Sequence, residues 1–268
     1  MVRDSPSLGI LECQRCGLVT LSSLEHIRSG HYEDSGMHGA GPPSIDAWLR
    51  QADEDDQRRL EMLRHLLTNR KVLDFGCGAA GFMHRAKAVA AIVHGVEPEI
   101  RVRQHWGSSL NLHSRLDEAD SDYDVISAFH VLEHLADPRA MLRALSARLA
   151  AGGRLVVEVP NADDALLTLY ESAAFQRFTY WSQHLFLFNA DTLRQVAVQA
   201  GMQVVTVQQF QRYPLSNHLY WLSRGKPGGH ERWSFLDTPA LVEAYNSALA
   251  ATGKCDTIIA HLEAAPEP

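Results

Sequence analysis

Apolar positions along the chain change their period several times, and the changes mark out its elements. Short unbroken apolar runs at Val72-Leu73-Asp74-Phe75, at 91–96, at 123–129 and at 154–160 read as buried strands. A strand covered on both faces has no solvated side to alternate with. Between these runs apolar residues recur at helical spacing. Trp48, Leu49, Leu60, Leu63, Leu66 and Leu67 predict one or two helices over 44–69, with Asp53-Glu54-Asp55-Asp56 as a solvated helix start. A helix follows from Phe82, another spans about 99–106, and a weak strand lies at 110–113. Pro138 opens a helix over 139–150 whose stripe is Met141, Leu142, Leu145 and Leu149, and Gly152-Gly153 caps it. A helix at 191–200, a strand at 202–210, a helix at 239–251 and a last strand at 256–262 complete the pattern. Strands that alternate with helices predict an α/β fold with a mostly parallel sheet.

The first strand breaks into Gly76-Cys77-Gly78-Ala79-Ala80-Gly81, a G-x-G-x-x-G turn that leads into a helix. Such a turn brings backbone N–H groups close to a ligand. Glu97 closes the second strand at the separation a dinucleotide site would need. Asp74 decides between ligands, because a carboxylate beside the turn repels a pyrophosphate and suits a cationic, phosphate-free molecule. S-adenosylmethionine (SAM) has that character, with a positive sulfonium and ammonium and two ribose hydroxyls. Here the chain resembles the class I SAM-dependent methyltransferases. Asp74, Gly76, Gly78 and Ala80 fill their first motif, and Val96-Glu97-Pro98 the second; Ala80 departs from the usual third glycine. Cys77, inside the turn, reads as a small packed side chain rather than a nucleophile. The resemblance implies a Rossmann-like, seven-stranded, mostly parallel sheet with 203–210 and 256–262 as an antiparallel edge hairpin. It also implies that Asp117 faces the adenine N6 and that Phe129 and His130 sit at the mouth of the site.

His130-Val-Leu-Glu-His-Leu-Ala-Asp-Pro138 resembles the post-strand motif of the ubiquinone-type methyltransferases. Its H-x-x-E-H also matches a zinc-protease signature, but that chemistry needs both histidines in one long helix, and here a buried strand precedes the motif and Pro138 stops it. Transfer to a hydroxyl calls for a base, which a neutral histidine suits. His130 is the first candidate, His184 the second and His218 a remote third. The segment 165–188 carries Tyr170, Phe175, Phe178, Tyr180, Trp181, Phe186 and Phe188, which suits either a packed insertion or a lid over an acceptor pocket. Residues 165–189 and 211–238 form the expected cap on a domain spanning 44–263, and 264–268 are a tail without order. The first 43 residues form an arm. In it Cys13-x-x-Cys16 resembles the second half of a zinc ribbon, and Tyr32 lies in a segment that, in methyltransferases of this kind, folds over the cofactor. The first Cys pair is missing, so reduced thiols on a hairpin are expected, although His26, His31 or His38 could complete a mixed zinc site. No metal ligand is assigned.

Composition narrows the rest. A formal charge of −7 and no basic block leave no footprint for nucleic acid. No apolar run is long enough to span a membrane, residues 1–9 lack the pattern of a signal peptide, and four cysteines make no disulfide framework, so a cytoplasmic monomer or homodimer is expected. The activity expected is O-methylation of a small molecule, by analogy a saccharide or nucleotide-sugar hydroxyl, with S-adenosylhomocysteine as product.

Overall fold

The computed structural model describes residues 2–28, 30–38 and 41–265. In chain order its strands are β1 (Ile10–Glu12), β2 (Val19–Leu21), β3 (Lys71–Phe75), β4 (Ile92–Val96), β5 (Asn111–His113), β6 (Tyr123–Phe129), β7 (Leu149–Pro160), β8 (Phe186–Leu187), β9 (Met202–Phe210) and β10 (Thr257–Ala264). Seven of them form the main sheet in the order β5-β4-β3-β6-β7-β10-β9. The five strands from β3 to β7 pair in parallel, while β10 runs antiparallel to both β7 and β9. This is the Rossmann-like α/β sheet expected, antiparallel edge pairing included. After β3 the chain adds β4 and β5 on one side and then crosses to add β6 on the other, so the order reverses at the carboxyl ends of β3 and β6. Crevices at such reversals are where open α/β sheets bind ligands.

One helix, Ile45–Leu67, covers the near face of the sheet. The Ser44 side chain caps it by accepting the Ala47 N–H at 3.2 Å. Its buried Leu60, Leu63 and Leu67 pack on Val72, Phe82, Val125, Phe129, Val156 and Ile259. Because this is a single helix of 23 residues, Asp53–Asp56 fall in its middle and not at a solvated start. Asp56 is buried and turns inward with Arg59, one turn on. The helix after Pro138 is also shorter than expected and ends at Ser146. Leu149 already pairs with Tyr123, and Gly152, at φ 72°, bends the start of β7 so that it begins before Arg154. At the far end β10 continues to Ala264, one residue into the expected tail, while residues 266–268 lie outside the described residues.

The arm is built into the cap. β1 and β2 form a hairpin around Cys13 and Cys16, and β2 pairs with β8 from the cap to make a second, three-stranded sheet. Val2, Leu8, Leu21 and Leu185 close a small core beneath it. The two insertions of the cap meet through Phe175 and Phe178, whose rings lie 5.1 and 5.2 Å from that of Trp221. Among the described residues no helix is long and apolar enough to cross a membrane.

Leu63 is fully buried where the long helix meets β3 and β6. Truncating it to alanine removes apolar contact and leaves a void, so Leu63→Ala should lower the unfolding free energy by about 2–5 kcal/mol in a urea titration, with the slope unchanged.

Candidate functional site

A cavity of about 1060 Å³ opens at the carboxyl ends of β3, β4 and β6. Its size lies at the top of the range for a drug-sized ligand and leaves room for a cofactor together with an acceptor. Tyr32, Asp74, Gly76, Cys77, Gly78, Glu97, Pro98, Asp117, Phe129 and His130 all line it. Of the cofactor-binding and base candidates, Ala80, His184 and His218 do not. Ala80 is buried behind the turn; His218 lies in the cap, bonded to the Tyr245 hydroxyl at 2.7 Å. His184 stands behind His134 and Trp181 with Nδ1 3.0 Å from the Thr179 carbonyl, and burial pushes its pKa down to about 4.

The turn after β3 is held by its own amides. Gly76, Gly78 and Ala80 have φ of 68°, 54° and 63°, the left-handed region that favours glycine. A Cβ on Gly76 would sit 2.5 Å from Val131 Cγ2. The expected bare amides are engaged: Gly76 and Cys77 donate to the Val96 carbonyl at 2.8 and 3.1 Å, and Gly78 donates to Glu97 Oε2 at 2.8 Å. Glu97 Oε1 accepts the Glu99 N–H at 2.9 Å, which leaves both oxygens with spare lone pairs toward the cavity. Burial raises Glu97 to about 7 against the pull of these two amides. Asp74 is likewise raised to about 7 by burial, opposed by the Ser127 hydroxyl that it accepts at 2.7 Å. Burial also pushes the Cys77 thiol well above its ordinary value, which suits a packed side chain rather than a nucleophile. Asp117 lies at the rim, exposed and paired with Arg115 at 3.0 Å.

Residues 30–38 fold over this end. The Tyr32 hydroxyl donates to the His134 carbonyl at 2.8 Å, Ser35 donates to Glu99 at 2.7 Å, and His31 Nε2 meets Gln183 Oε1 at 2.7 Å. The histidines that a zinc ribbon might have recruited are thus engaged elsewhere. His26 Nε2 contacts the Ser182 carbonyl at 2.6 Å, and His38 Nε2 lies 3.5 Å from Glu99.

The opposite end is charged, and most of it went unseen in the sequence. Glu158 on β7 is fully buried and accepts from Arg58 and Arg59 at 2.9 and 2.7 Å. Arg212 pairs with Asp55 on the long helix. His130, at φ 54°, lies between two carboxylates, with Nδ1 3.2 Å from Glu133 and Nε2 3.2 Å from Glu158. Burial alone would lower its pKa, and Arg212 Nη1 at 3.3 Å works the same way; the bonds to Glu133 and Glu158 outweigh both and raise it. Glu158 is held well below the carboxylate range: burial opposes this, but His130 and Arg59 prevail. The available signal was a lone Glu in an apolar strand, since a charge there must find partners. Of the seven aromatics in 165–188 only Trp181 reaches the cavity, so most of that density is the packing of the cap itself.

A family model described as a methyltransferase domain matches residues 48–207. The chain is similar to the ubiquinone biosynthesis O-methyltransferase of Shewanella sp. (strain ANA-3), with 33% identity over 96 residues that cover 31% of this chain and 41% of that protein. It is similar also to the protein of that name from Bordetella avium, with 30% identity over 114 residues that cover 35% and 46%. The matches therefore span less than half the length of these relatives. A SAM-dependent methyltransferase from Archaeoglobus fulgidus shares the fold, with a TM-score of 0.55 at 16% identity over 78% of this chain and 93% of that one.

Glu158 accepts from two guanidinium groups and faces an imidazole, so Glu158→Ala removes the buried anion that Arg58, Arg59 and His130 share and leaves them only Asp55, Asp56 and Glu133. The expected loss is about 3–5 kcal/mol of unfolding free energy, the range for breaking a buried pair from one side, read in a denaturant titration.

Proposed function

Because the chain belongs to the methyltransferase domain family, whose class I members are SAM-dependent, we propose that it transfers a methyl group from SAM to a hydroxyl of a small molecule. The observation that carries this reading is the single cavity whose one end is the glycine turn with Asp74 and Glu97, and whose other end is a polar pocket beneath the cap. Glu97 would accept the ribose hydroxyls, Asp74 would offset the cationic methionyl part, and Asp117 at the rim would meet the adenine. Gly76, Cys77, Gly78, Pro98 and Phe129 shape the space between. Tyr32 would close over the cofactor from the arm. The acceptor oxygen attacks the methyl carbon, the carbon–sulfur bond breaks with its electron pair left on sulfur, and the hydroxyl proton passes to solvent water. Positioning the two reactants supplies much of the rate.

His130 fits this reaction better as a donor than as a base. Nδ1 faces Glu133 and Nε2 lies between Glu158 and the Arg212 guanidinium, so both ring nitrogens are already engaged and neither is free to take a proton from the acceptor. His184 is screened from the cavity by His134 and Trp181. His130 and Arg212 are instead placed to hold the acceptor.

The charged lining of that end, with Arg212, Asp55 and His130, supports a polyhydroxylated acceptor such as a saccharide or nucleotide-sugar. The names of the curated relatives support a second acceptor class, an aromatic hydroxyl. Incubation with SAM and a panel of saccharides, nucleotide-sugars and catechols, read by mass spectrometry for a gain of one methyl group and for S-adenosylhomocysteine, tests the reading. Bound SAM with no acceptor methylated in a broad panel would replace it with a SAM-binding role.

Two binding experiments probe the cofactor end. Gly76→Val, which forces a side chain into Val131 from a left-handed backbone, should abolish SAM binding in calorimetry. Glu97→Ala should weaken binding by about 1–3 kcal/mol, the worth of hydrogen bonds to a charged group. Unchanged affinity in both variants would move the cofactor elsewhere.

The pH dependence follows from the two carboxyls near pH 7. In the free protein each holds its proton below about 7, because burial raises it. A cation and ribose hydroxyls favour the ionised form, so binding expels protons at acid pH. SAM affinity should therefore rise between pH 5.5 and 7.5, and calorimetry in buffers of different ionisation enthalpy should show net proton release. A flat profile without release would mean that both groups are already ionised in the free protein.

A further inference from the structure

Beside the acceptor end, Glu133, His134 and His184 converge, with one donor atom from each lying within 4.8 Å of the others. These are not the H-x-x-E-H ligands of a protease. The turn Leu132–His134 is a single 3-10 turn, and His130 is not among the converging donors, its ring nitrogens being taken by Glu133 on one side and Glu158 and Arg212 on the other. The third residue of the group comes instead from the cap.

Each member is prepared in the way metal ligands are. His134 Nδ1 meets the Gln183 carbonyl at 2.7 Å, and His184 Nδ1 meets the Thr179 carbonyl at 3.0 Å. In both rings Nδ1 therefore carries the hydrogen and Nε2 keeps its lone pair, the arrangement by which ligating histidines are fixed. Glu133 Oε1 is oriented by His130 Nδ1 at 3.2 Å, while Glu133 Oε2 is buried without a hydrogen-bond partner. A buried carboxylate oxygen left bare is costly unless something cationic meets it. His134 Nε2 lies 3.9 Å from Glu133 Oε1. Donors at ~2.0–2.2 Å on a tetrahedral ion stand roughly 3.3–3.6 Å apart, so small ring rotations complete the cage.

We propose that Glu133, His134 and His184 bind one divalent transition-metal ion of the zinc class, with its open positions toward the acceptor end of the cavity. Two imidazoles and one carboxylate select such an ion over magnesium or calcium, which prefer all-oxygen sites. Three protein ligands leave coordination open for an outside oxygen. His134 lines the cavity wall, so that oxygen can be the acceptor hydroxyl, whose acidity a bound metal increases. This would supply what neither His130 nor His184 offers, an acceptor hydroxyl acidic enough to pass its proton to solvent water without a protein base. The metal site itself does not depend on methyl transfer, and its test does not use turnover.

The experiment is zinc titration of the chelator-treated, full-length protein, read by equilibrium dialysis with elemental analysis and repeated with cobalt for its visible spectrum. Wild type should take up about one equivalent, and a Cys13→Ser, Cys16→Ser double variant should keep it. Glu133→Gln and His184→Ala should lose it and lose the cobalt spectrum, while circular dichroism shows them folded. Should His184→Ala fail to fold, His184→Gln joins Glu133→Gln as the deciding pair. Zinc retained by folded Glu133 and His184 variants, or lost only with the cysteines, overturns the proposal, as does the absence of stoichiometric uptake by wild type.

Discussion

The hydrogen bond from the Gly78 amide to Glu97 is the constraint on which the glycine-turn end of the cavity depends. A backbone that enters the left-handed region three times within five residues persists only if its amides are satisfied: Gly76 and Gly78 donate to the Val96 carbonyl and the Glu97 carboxylate at the end of β4, and Ala80 to the Cys77 carbonyl within the turn. The bond thus fixes the separation of the β3 and β4 ends. It also reaches the arm. Glu97 accepts from the Glu99 amide, and the Glu99 carboxylate in turn takes Ser35 and lies beside His38 and Arg101. The wall of the cavity and the segment that covers it are one hydrogen-bonded chain, so the cover is positioned by the same carboxylate that would hold the ribose.

The other end is organised by charge. Glu158 sits in a strand flanked by β6 and β10, where an apolar residue of similar volume would pack at least as well, and buried ion clusters of this kind are often neutral or unfavourable for stability. Stability does not account for Arg58, Arg59, Glu158, His130, Asp55 and Arg212 gathering there. The position of Asp55, Arg59, His130 and Arg212 in the cavity wall, with Glu158 and Arg58 behind them, does: a rigid array of fixed charges can orient a polar acceptor without reorganising. The raised pKa values of Asp74 and Glu97 fit the same view, since burial outweighs what their partners within the chain do to hold either carboxyl ionised.

What the sequence revealed follows from how local each signal is. The apolar runs located four of the five strands of the parallel half-sheet, the edge strand β5 being the weak one, and the strand–turn–helix with Asp74 and Glu97 located the glycine-turn end of the cavity, because both are written in contiguous residues. Asp55 and Asp56 were misread for the complementary reason. A charge run says nothing about which way it faces until Arg59 and Arg212, the latter 157 positions from Asp55, are brought against it. The β2–β8 pairing was equally invisible, being two short strands from distant segments. Glu133, His134 and His184 were each noticed, but the motif suggested His130 as the companion of the first two. Only the tertiary fold exchanges it for a cap residue.

That exchange ties the chemistry of the acceptor end to the mechanics of the cap. The Leu185 amide, next to His184, donates to the Glu133 carbonyl at 2.8 Å, and the Leu21 amide of β2 donates to the Leu185 carbonyl at 3.1 Å. His134 is held from the cap side by Gln183 and from the arm by Tyr32, which donates to its carbonyl. Cap, arm and post-strand turn are therefore joined at one point, around residues 133–134 and 183–185. A movement that opened the cap for an acceptor while leaving this junction intact would have to bend elsewhere, in the second insertion at 211–238. If the junction itself opened, Glu133 and His134 would part from His184, and the three donors would come together again only on closure. Assembly of the donor group and enclosure of the acceptor would then be the same event.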